Sequence, residues 1–173
     1  MPERNIDEQL INQAEEKAAC LIEKLKAVSQ KLVLAESCTG GLISSLLAQV
    51  PGASGVLWGS FVCYTKEGKV SMLGLKESEL SADGLVSEKT AYSMAVGALQ
   101  KSGADISAAV TGLAGPDGDG SNVPVGTVWI AAALRGGEIK AKMFHFTGSR
   151  NEIRLRAACA AIEKIQEILI IKG

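Results

Sequence analysis

The sequence predicts an α/β protein, a three-layer α/β/α domain whose mixed sheet is mostly parallel and carries an antiparallel hairpin late in the chain. Short apolar runs of strand length alternate with longer segments that have helical periodicity. Two β-forming runs near the C-terminal end are separated by Gly136-Gly137, a pair typical of hairpin turns. The 173 residues, 47% of them apolar, suffice for one self-supporting core, so we expect residues 1–173 to be a single domain.

The first elements are predicted to be a helix, a strand, a helix and a second strand. Residues 6–29 are predicted to be a helix because apolar side chains fall near one face, namely Ile6, Leu10, Leu21, Leu25 and Val28. This stripe closes the core, which we favour, or pairs with another subunit in a homo-oligomer. Residues 32–35 are predicted to be a buried strand, followed by a helix that stops at Pro51-Gly52. Residues 56–64 are predicted to be the second strand.

The remaining elements continue the alternation of helix and strand. Ser87 is a suitable N-cap for a helix that runs to about residue 101, with Gly103 past its end. The other predicted elements are a short helix over 67–75, a further turn over 77–83, a buried strand over 106–110, a glycine-rich loop over 111–123, hairpin strands over 125–134 and 139–146, and a closing helix over 150–171.

The charge and hydropathy of the chain limit the classes of partner that it can bind. The net charge is −1 and there is no basic tract, so we expect no nucleic acid partner. A mononucleotide is compatible with this balance, because one phosphate needs only a local site. The N-terminus lacks the apolar core of a signal peptide, and no apolar run reaches the roughly 18 residues of a membrane span. We therefore expect a cytoplasmic protein with a small-molecule partner and no membrane contact.

Cysteine and histidine usage argues against a metal site. No two of the four cysteines stand at zinc-binding or redox spacing; they are Cys20, Cys38, Cys63 and Cys159. His145 is the only histidine, which excludes a multi-histidine metal site and leaves one histidine for any catalytic triad. Its place between Phe144 and Phe146, in an alternating strand, favours a structural or surface role.

The first candidate for chemistry is Glu36-Ser37-Cys38-Thr39-Gly40-Gly41, where the first strand passes into the second helix. Backbone N–H groups at a helix start carry partial positive charge, and glycines leave them uncovered. Such a turn binds a phosphate or holds an oxyanion beside Ser37. The alternative is that Ser37 or Thr39 only caps the helix.

A serine nucleophile needs a base, because a free hydroxyl is a poor nucleophile. Tyr64 ends the second strand and Lys69 follows five residues later, so both are expected to face one end of the sheet; the alternative is an exposed charged turn. A lysine base must titrate near ~7–8 rather than near its ordinary ~10.4. Burial at the strand end, with repulsion from a nearby Arg150, would lower the pKa in this direction.

Two later segments fit a ligand pocket. Thr111-Gly112-Leu113-Ala114-Gly115-Pro116 follows a buried strand, a position suited to ligand binding at the rim of a parallel sheet. It is neither a P-loop nor a dinucleotide fingerprint. Arg150 opens the last helix and suits a two-pronged contact with a phosphate; the alternative is a solvated surface charge.

Together these segments resemble the C-terminal domain of the CinA (competence/damage-inducible) family, over about residues 8–170. The pieces that carry the resemblance are Ala35-Glu36-Ser37-Cys38-Thr39-Gly40-Gly41, Thr111-Gly112-Leu113-Ala114-Gly115-Pro116 and Pro124-Val125-Gly126-Thr127-Val128. The resemblance implies hydrolysis of nicotinamide mononucleotide to nicotinic acid mononucleotide and ammonia, a step of pyridine nucleotide salvage, without a metal or other cofactor.

The resemblance also places site residues on this chain. The family's serine, tyrosine and lysine fall on Ser37, Tyr64 and Lys69. Its substrate-binding threonine and late arginine fall on Thr111 and Arg150. With the neighbouring loop residues, the expected substrate-binding set is Thr39, Gly40, Gly41, Thr111, Gly112, Gly115 and Arg150.

The expected mechanism is acyl transfer through Ser37, with Lys69 removing the serine proton directly or through Tyr64. The chain departs from the family pattern at Lys66, Gly68, Val123 and Ser149, where the family usually has Asn, Ala, Lys and Asp. These departures motivate a second hypothesis, a catalytically silent nucleotide-binding or regulatory module with the same fold. A third hypothesis makes Cys38 the nucleophile of a thiol amidase.

Overall fold

A computed structural model describes residues 8–170 of the chain, which fold around one five-stranded sheet. The strands are β1 (Leu32–Glu36), β2 (Leu57–Val62), β3 (Ile106–Gly112), β4 (Thr127–Leu134) and β5 (Ile139–His145). The helices are α1 (Glu8–Ala27), α2 (Leu42–Ala48), α3 (Lys66–Leu73), α4 (Glu77–Asp83), α5 (Glu88–Lys101) and α6 (Arg150–Ile170), and a single 3-10 turn over Ala53–Gly55 precedes β2.

The sheet is mixed, which confirms the predicted fold class. Its strand order is β2-β1-β3-β4-β5. The β1–β2 and β1–β3 pairs are parallel, whereas β4 runs antiparallel to both β3 and β5. The predicted hairpin joins β4 to β5 across Gly136-Gly137. The described sheet therefore has two parallel and two antiparallel strand pairs. Both antiparallel pairs involve β4, because it lies between β3 and β5.

Helices cover both faces of the sheet and complete the three layers. Successive residues of a strand point to opposite faces. Leu32 and Leu34 accordingly pack in a core with α1, α2 and α6, while Val33 and Ala35 pack in a second core with α3, α4 and α5. All five residues of β1 are buried; the continuous apolar run over 32–35 predicted this for the first four, and Glu36 extends the strand by one residue.

Several predicted boundaries shift where tertiary pairing decides them. β3 continues through Thr111 and Gly112, which pair with β4, so two residues assigned to the loop belong to the sheet. β4 begins only at Thr127, because Gly126 turns the chain with φ of 94°. Residues 77–83 form a short helix rather than a turn. Ser87 caps α5 as predicted, accepting the Thr90 N–H at 3.1 Å.

The first helix confirms the core stripe. Leu10, Leu21 and Leu25 are buried in the core that α1 shares with α2, α6 and one face of the sheet. Val28 lies one residue past the end of α1 and is 50% exposed, so it is not part of the stripe. Ile6 lies outside the described residues, as does residue 171 at the predicted end of the closing helix.

The sheet brings distant segments of the sequence to one edge. Glu36, the last residue of β1, lies in register with Val62 on β2 and Val110 on β3. Because parallel strands end at the same edge, the segments that follow β1, β2 and β3 meet there. Over residues 8–170, none of the helices combines the length and the apolar character that a bilayer span requires.

Candidate active site

A serine and a lysine contact each other where these segments meet. Ser37 directly follows β1, and its N–H donates to the Val110 carbonyl at 3.0 Å. Lys69 lies on α3, after β2. Its Nζ is 2.9 Å from Ser37 Oγ and 3.0 Å from the Cys63 carbonyl oxygen. Both expected partners are therefore present at hydrogen-bond distance, and no intervening group separates them.

The Lys69 amine occupies a site that disfavours its charge. The side chain is 1% exposed. Burial lowers the pKa of Lys69 below its ordinary value, while the nearby thiols of Cys63 and Cys38 partly oppose this shift. The expected repulsion from Arg150 is not among the causes, so burial supplies the shift. A neutral amine keeps a lone pair that can accept the Ser37 proton while an N–H donates to the Cys63 carbonyl.

Local structure explains why Lys69 points inward. Thr65 caps α3, accepting the Gly68 N–H at 3.1 Å, and so fixes where the helix begins. Lys69 and Leu73 are one helical turn apart and form the buried face of α3. The helix therefore presents its lysine to the sheet edge in the way it presents its leucine to the core.

The turn after Ser37 is organised by a residue that our reasoning from the sequence overlooked. Glu36 is fully buried, and its carboxylate accepts the Ile43 N–H at 3.0 Å and the Ser44 N–H at 2.9 Å. The first turn of α2 is thus capped from within and is not open to a ligand. A signal was present in the sequence, since an acidic residue at a strand end, shortly before a helix start, suits the helix dipole.

The donors left for an oxyanion are therefore fewer than expected. The Gly40 N–H donates to the Ser37 carbonyl at 3.0 Å, and the Leu42 N–H to the Thr39 carbonyl at 3.2 Å. Among residues 8–170, the N–H groups of Cys38, Thr39 and Gly41 donate to no carbonyl, and those of Cys38 and Thr39 are the nearest to Ser37 along the chain. These two groups are the candidates for an oxyanion hole beside Ser37.

The neighbouring thiol is poorly suited to be a nucleophile. Cys38 is 5% exposed, and burial raises the pKa of its thiol to about 11. Thiolate is the reactive form of cysteine, so little of it is present at neutral pH. A thiol nucleophile requires a lowered thiol pKa, and Cys38 does not meet this requirement.

A cavity of about 240 Å³ opens onto the Ser37–Lys69 pair. Seven of the ten predicted site residues line it: Ser37, Tyr64, Lys69, Thr111, Gly112, Gly115 and Arg150. The lining residues that our sequence prediction did not include are Cys38, Leu85, Val86, Leu113, Ala114, Asp117, Gly118 and Asp119. Leu85 and Val86 come from the connection between α4 and α5, which carries no motif that marks it as part of a pocket.

The end of β3 and the loop after it are held against neighbouring segments by a threonine hydroxyl and a glycine. Thr111 Oγ1 donates to the Leu85 carbonyl at 2.6 Å, so this hydroxyl fixes the cavity wall. Gly115 has φ of +78°, and a Cβ there would lie 2.6 Å from Val125 Cγ1. A larger residue would displace the loop and change the cavity wall.

Tyr64 and Arg150 form a contact at the cavity that the sequence did not predict. Arg150 Nη2 donates to Tyr64 Oη at 2.6 Å, and Nη1 donates to the Gly115 carbonyl. Tyr64 lies two residues past β2 and is 54% exposed. Within residues 8–170, Lys69 contacts Ser37 and the Cys63 carbonyl but not the Tyr64 hydroxyl. The direct route from Ser37 to Lys69 is thus the one the geometry supports.

The other predicted binding residues do not line the cavity. Thr39 is 0% exposed, and its hydroxyl has no hydrogen-bond partner in the described part of the chain. Gly40 instead faces Arg154, whose Nη2 donates to the Thr39 carbonyl at 2.7 Å. Gly41 lies against Val62. A binding role for Thr39, Gly40 and Gly41 stays a prediction.

The four departures from the family pattern all lie outside the cavity wall. Lys66 is partly buried, and its Nζ joins α3 to α4 through Glu77 at 3.0 Å and Ser81 at 2.9 Å. Ser149 pairs with Glu152 at the start of α6, with Oγ 2.6 Å from Oε2. The remaining two departures are Gly68 and Val123. His145 is exposed at the end of β5 and is not part of the site, as expected.

A family model described as the CinA C-terminal domain matches residues 14–169. The chain belongs to the CinA C-terminal domain family. Among solved CinA structures, the protein CihA from Agrobacterium tumefaciens is 39% identical and superimposes with a TM-score of 0.86, covering 91% of this chain and 96% of that one. A CinA superfamily protein from Escherichia coli is 30% identical, with a TM-score of 0.87 and coverage of 95% and 94%.

Curated relatives of this CinA domain fall into two length classes. The nicotinamide-nucleotide amidohydrolase PncC of Enterobacter agglomerans is 40% identical over 139 residues, which cover 80% of this chain and 85% of that protein. A CinA-like protein of Akkermansia muciniphila is 48% identical over 124 residues, covering 72% of this chain but 30% of its own length. The chain spans about a third of the length of several of these curated relatives.

Proposed function

We propose that this CinA domain is an amidohydrolase that converts nicotinamide mononucleotide to nicotinic acid mononucleotide and ammonia. The observation that carries the proposal is the 2.9 Å contact between Ser37 Oγ and Lys69 Nζ, with burial lowering the pKa of the lysine. This is a nucleophile beside a base, at the wall of a cavity. The name of the Enterobacter agglomerans relative, which matches over most of its length, supports the substrate.

The first half-reaction makes an acyl-enzyme. Neutral Lys69 accepts the Ser37 proton as Oγ bonds to the carboxamide carbon, and the carbonyl oxygen becomes an oxyanion beside the N–H groups of Cys38 and Thr39. The C–N bond then breaks, and the proton on Lys69 passes to the leaving nitrogen, which departs as ammonia. The positive pyridinium ring of the substrate makes the carbonyl carbon more electrophilic.

The second half-reaction releases the product. Water bonds to the acyl carbon while Lys69 accepts one of its protons. The ester C–O bond breaks, Lys69 returns the proton to Ser37 Oγ, and the carboxylic acid ionises to solvent. Lys69 thus acts as base and then as acid in each half, and no metal takes part.

The remaining cavity residues are assigned to binding the nucleotide. Arg150 is a suitable phosphate contact because its guanidinium lies at the cavity, and each Nη atom, which already donates once to the protein, carries a second N–H. Asp117 and Asp119, in the loop after β3, line the same cavity, and their carboxylates are candidates to accept hydrogen bonds from the ribose hydroxyls.

The test is ammonia release from nicotinamide mononucleotide by the purified chain, with Ser37→Ala as the inactive comparison. Steady turnover by the wild-type chain that disappears in Ser37→Ala is the expected result. Tight binding of the nucleotide without ammonia release would instead support the silent binding module.

A further inference from the structure

The Glu36 carboxylate is a fully buried polar group beside the site. Glu36 is 0% exposed, and its carboxylate accepts three hydrogen bonds. Two come from the first turn of α2, the N–H groups of Ile43 and Ser44, and the third comes from Ser60 Oγ on β2 at 3.1 Å. One carboxylate thus joins the helix that follows the nucleophile turn to the strand that precedes the base.

The backbone of Glu36 makes a second connection toward the base. Its carbonyl accepts the Cys63 N–H at 2.9 Å, and the Cys63 thiol lies 3.7 Å from the same oxygen. The Cys63 carbonyl in turn accepts from Lys69 Nζ. Glu36 is also covalently joined to Ser37 through the same carbonyl group. One residue is thus linked to the nucleophile through the backbone and to the base through the Cys63 peptide.

The side-chain contacts matter for geometry because the turn has few other anchors. Residues 37–41 are held to β3 by the Ser37 N–H and to α6 by Arg154. Without the carboxylate, the N–H groups of Ile43 and Ser44 would lose their acceptors, and the turn could shift along the sheet edge. Misplacing a reacting group by about 1 Å costs on the order of 10²-fold in rate.

We propose that Glu36 is a positioning residue: its carboxylate fixes the turn carrying Ser37 to β2, and so holds Ser37 Oγ against Lys69 Nζ. Glu36 touches neither substrate nor the reacting atoms, and it is not among the residues that line the cavity. This proposal rests on the proposed function, because the ammonia assay presupposes the amidohydrolase reaction.

The experiment compares Glu36→Gln with Asp105→Asn. Glutamine keeps the length of the side chain but offers one acceptor oxygen and presents an NH₂ to donors that need an acceptor. Asp105 is a matched control, because its carboxylate also accepts a backbone N–H, that of Lys31 at 2.8 Å, at the opposite end of β1 and β3. Each variant is assayed for ammonia release and for the rate at which a small alkyl fluorophosphonate labels Ser37, read by mass spectrometry.

The expected result for Glu36→Gln is a fall of about 10²-fold in kcat with a small change in KM, because alignment and not binding is lost. Labelling of Ser37 should slow in parallel, since attack on phosphorus with loss of fluoride uses the same Ser37–Lys69 contact. Asp105→Asn should keep both rates even if its folded state is less stable. Wild-type rates in Glu36→Gln, or equal losses in the two variants, would overturn the proposal.

A milder variant covers the case in which Glu36→Gln does not fold. Ser60→Ala removes one of the three donors and leaves the helix cap in place, so kcat and labelling should fall by about threefold to tenfold. Wild-type rates in Ser60→Ala would then refute the positioning role. If wild-type Ser37 is labelled but no ammonia forms from the mononucleotide, the proposed substrate fails, while the labelling comparison still decides the role of Glu36.

Discussion

Replacing Lys69 with methionine should remove catalysis. It should also remove the part of the pH dependence of the free energy of unfolding that the buried lysine causes. Methionine has a similar length and no charge, so it can occupy the buried site on α3. The rate of ammonia release should fall by about 10²–10⁴-fold, the usual contribution of a general base. At high pH, where the lysine is neutral in both states, wild type should be more stable by about 1–3 kcal/mol, because the variant leaves the Cys63 carbonyl without its donor.

The stability difference should change with pH in a fixed direction. Burial lowers the pKa of Lys69, so between the folded-state pKa and the ordinary value of 10.5 the folded chain binds fewer protons than the unfolded chain. The free energy of unfolding of wild type therefore falls as pH falls through this window, by up to ~1.4 kcal/mol per pH unit, and levels off below the folded-state pKa. Lys69→Met lacks this dependence, so it should gain on wild type as pH falls.

The assay is urea unfolding of both proteins between pH 7 and 11.5, followed by circular dichroism, so that the range extends past the ordinary lysine value of 10.5. Subtracting the two curves cancels the titration of groups that do not interact with Lys69, whereas the thiols of Cys38 and Cys63 interact with its charge and do not cancel fully. Lys66→Met is the matched control on the same helix, because Lys66 is only partly buried and bonded to Glu77. It should keep its activity and change the free energy of unfolding by less than about 1 kcal/mol at pH 7. A wild-type minus Lys69→Met difference that is flat across pH would refute the buried neutral amine.

Three further predictions concern the rest of the site. Arg150→Ala should weaken binding of nicotinamide mononucleotide far more than binding of nicotinamide riboside, which lacks the phosphate; equal losses in KM would assign Arg150 to the fold. Thr39→Val should leave the free energy of unfolding unchanged or raise it by about 1 kcal/mol in urea unfolding, because the buried hydroxyl has no partner to lose among the described residues. Cys38→Ala should retain most of the ammonia release, since burial raises the pKa of that thiol to about 11, and an inactive variant would restore the thiol hypothesis.

The fold was largely predictable because its signals are local. The buried run at 32–35, the capping Ser87 and the glycine pair of the hairpin each determine an element without reference to the rest of the chain. Strand pairing is not local, however. The reversal of β4 between β3 and β5 requires knowing that β3 and β4 are adjacent, and the extension of β3 into Thr111 depends on that pairing.

The sequence predicted which residues meet at this edge of the sheet better than it predicted their contacts. Ser37, Lys69 and the loop after β3 could be named because parallel strands deliver their ends to one edge. The contact between Tyr64 and Arg150 was not foreseen, because it joins residues 86 positions apart and depends on where α6 docks. Glu36 was overlooked because an acidic residue at a strand end is usually solvated, and only the structure shows its complete burial.

The proposed mechanism requires a covalent bond between the substrate and Ser37, and that bond can be detected directly. The chain is mixed with nicotinamide mononucleotide, quenched in acid within the first turnovers, digested with trypsin and analysed by mass spectrometry. The fragment that runs from Leu32 to Lys66 contains both Ser37 and Cys38, so fragmentation distinguishes the two. We expect the acyl group of the pyridine carboxylate on Ser37 and its absence from Ser37→Ala. Turnover with the acyl group on Cys38 would contradict the proposed mechanism.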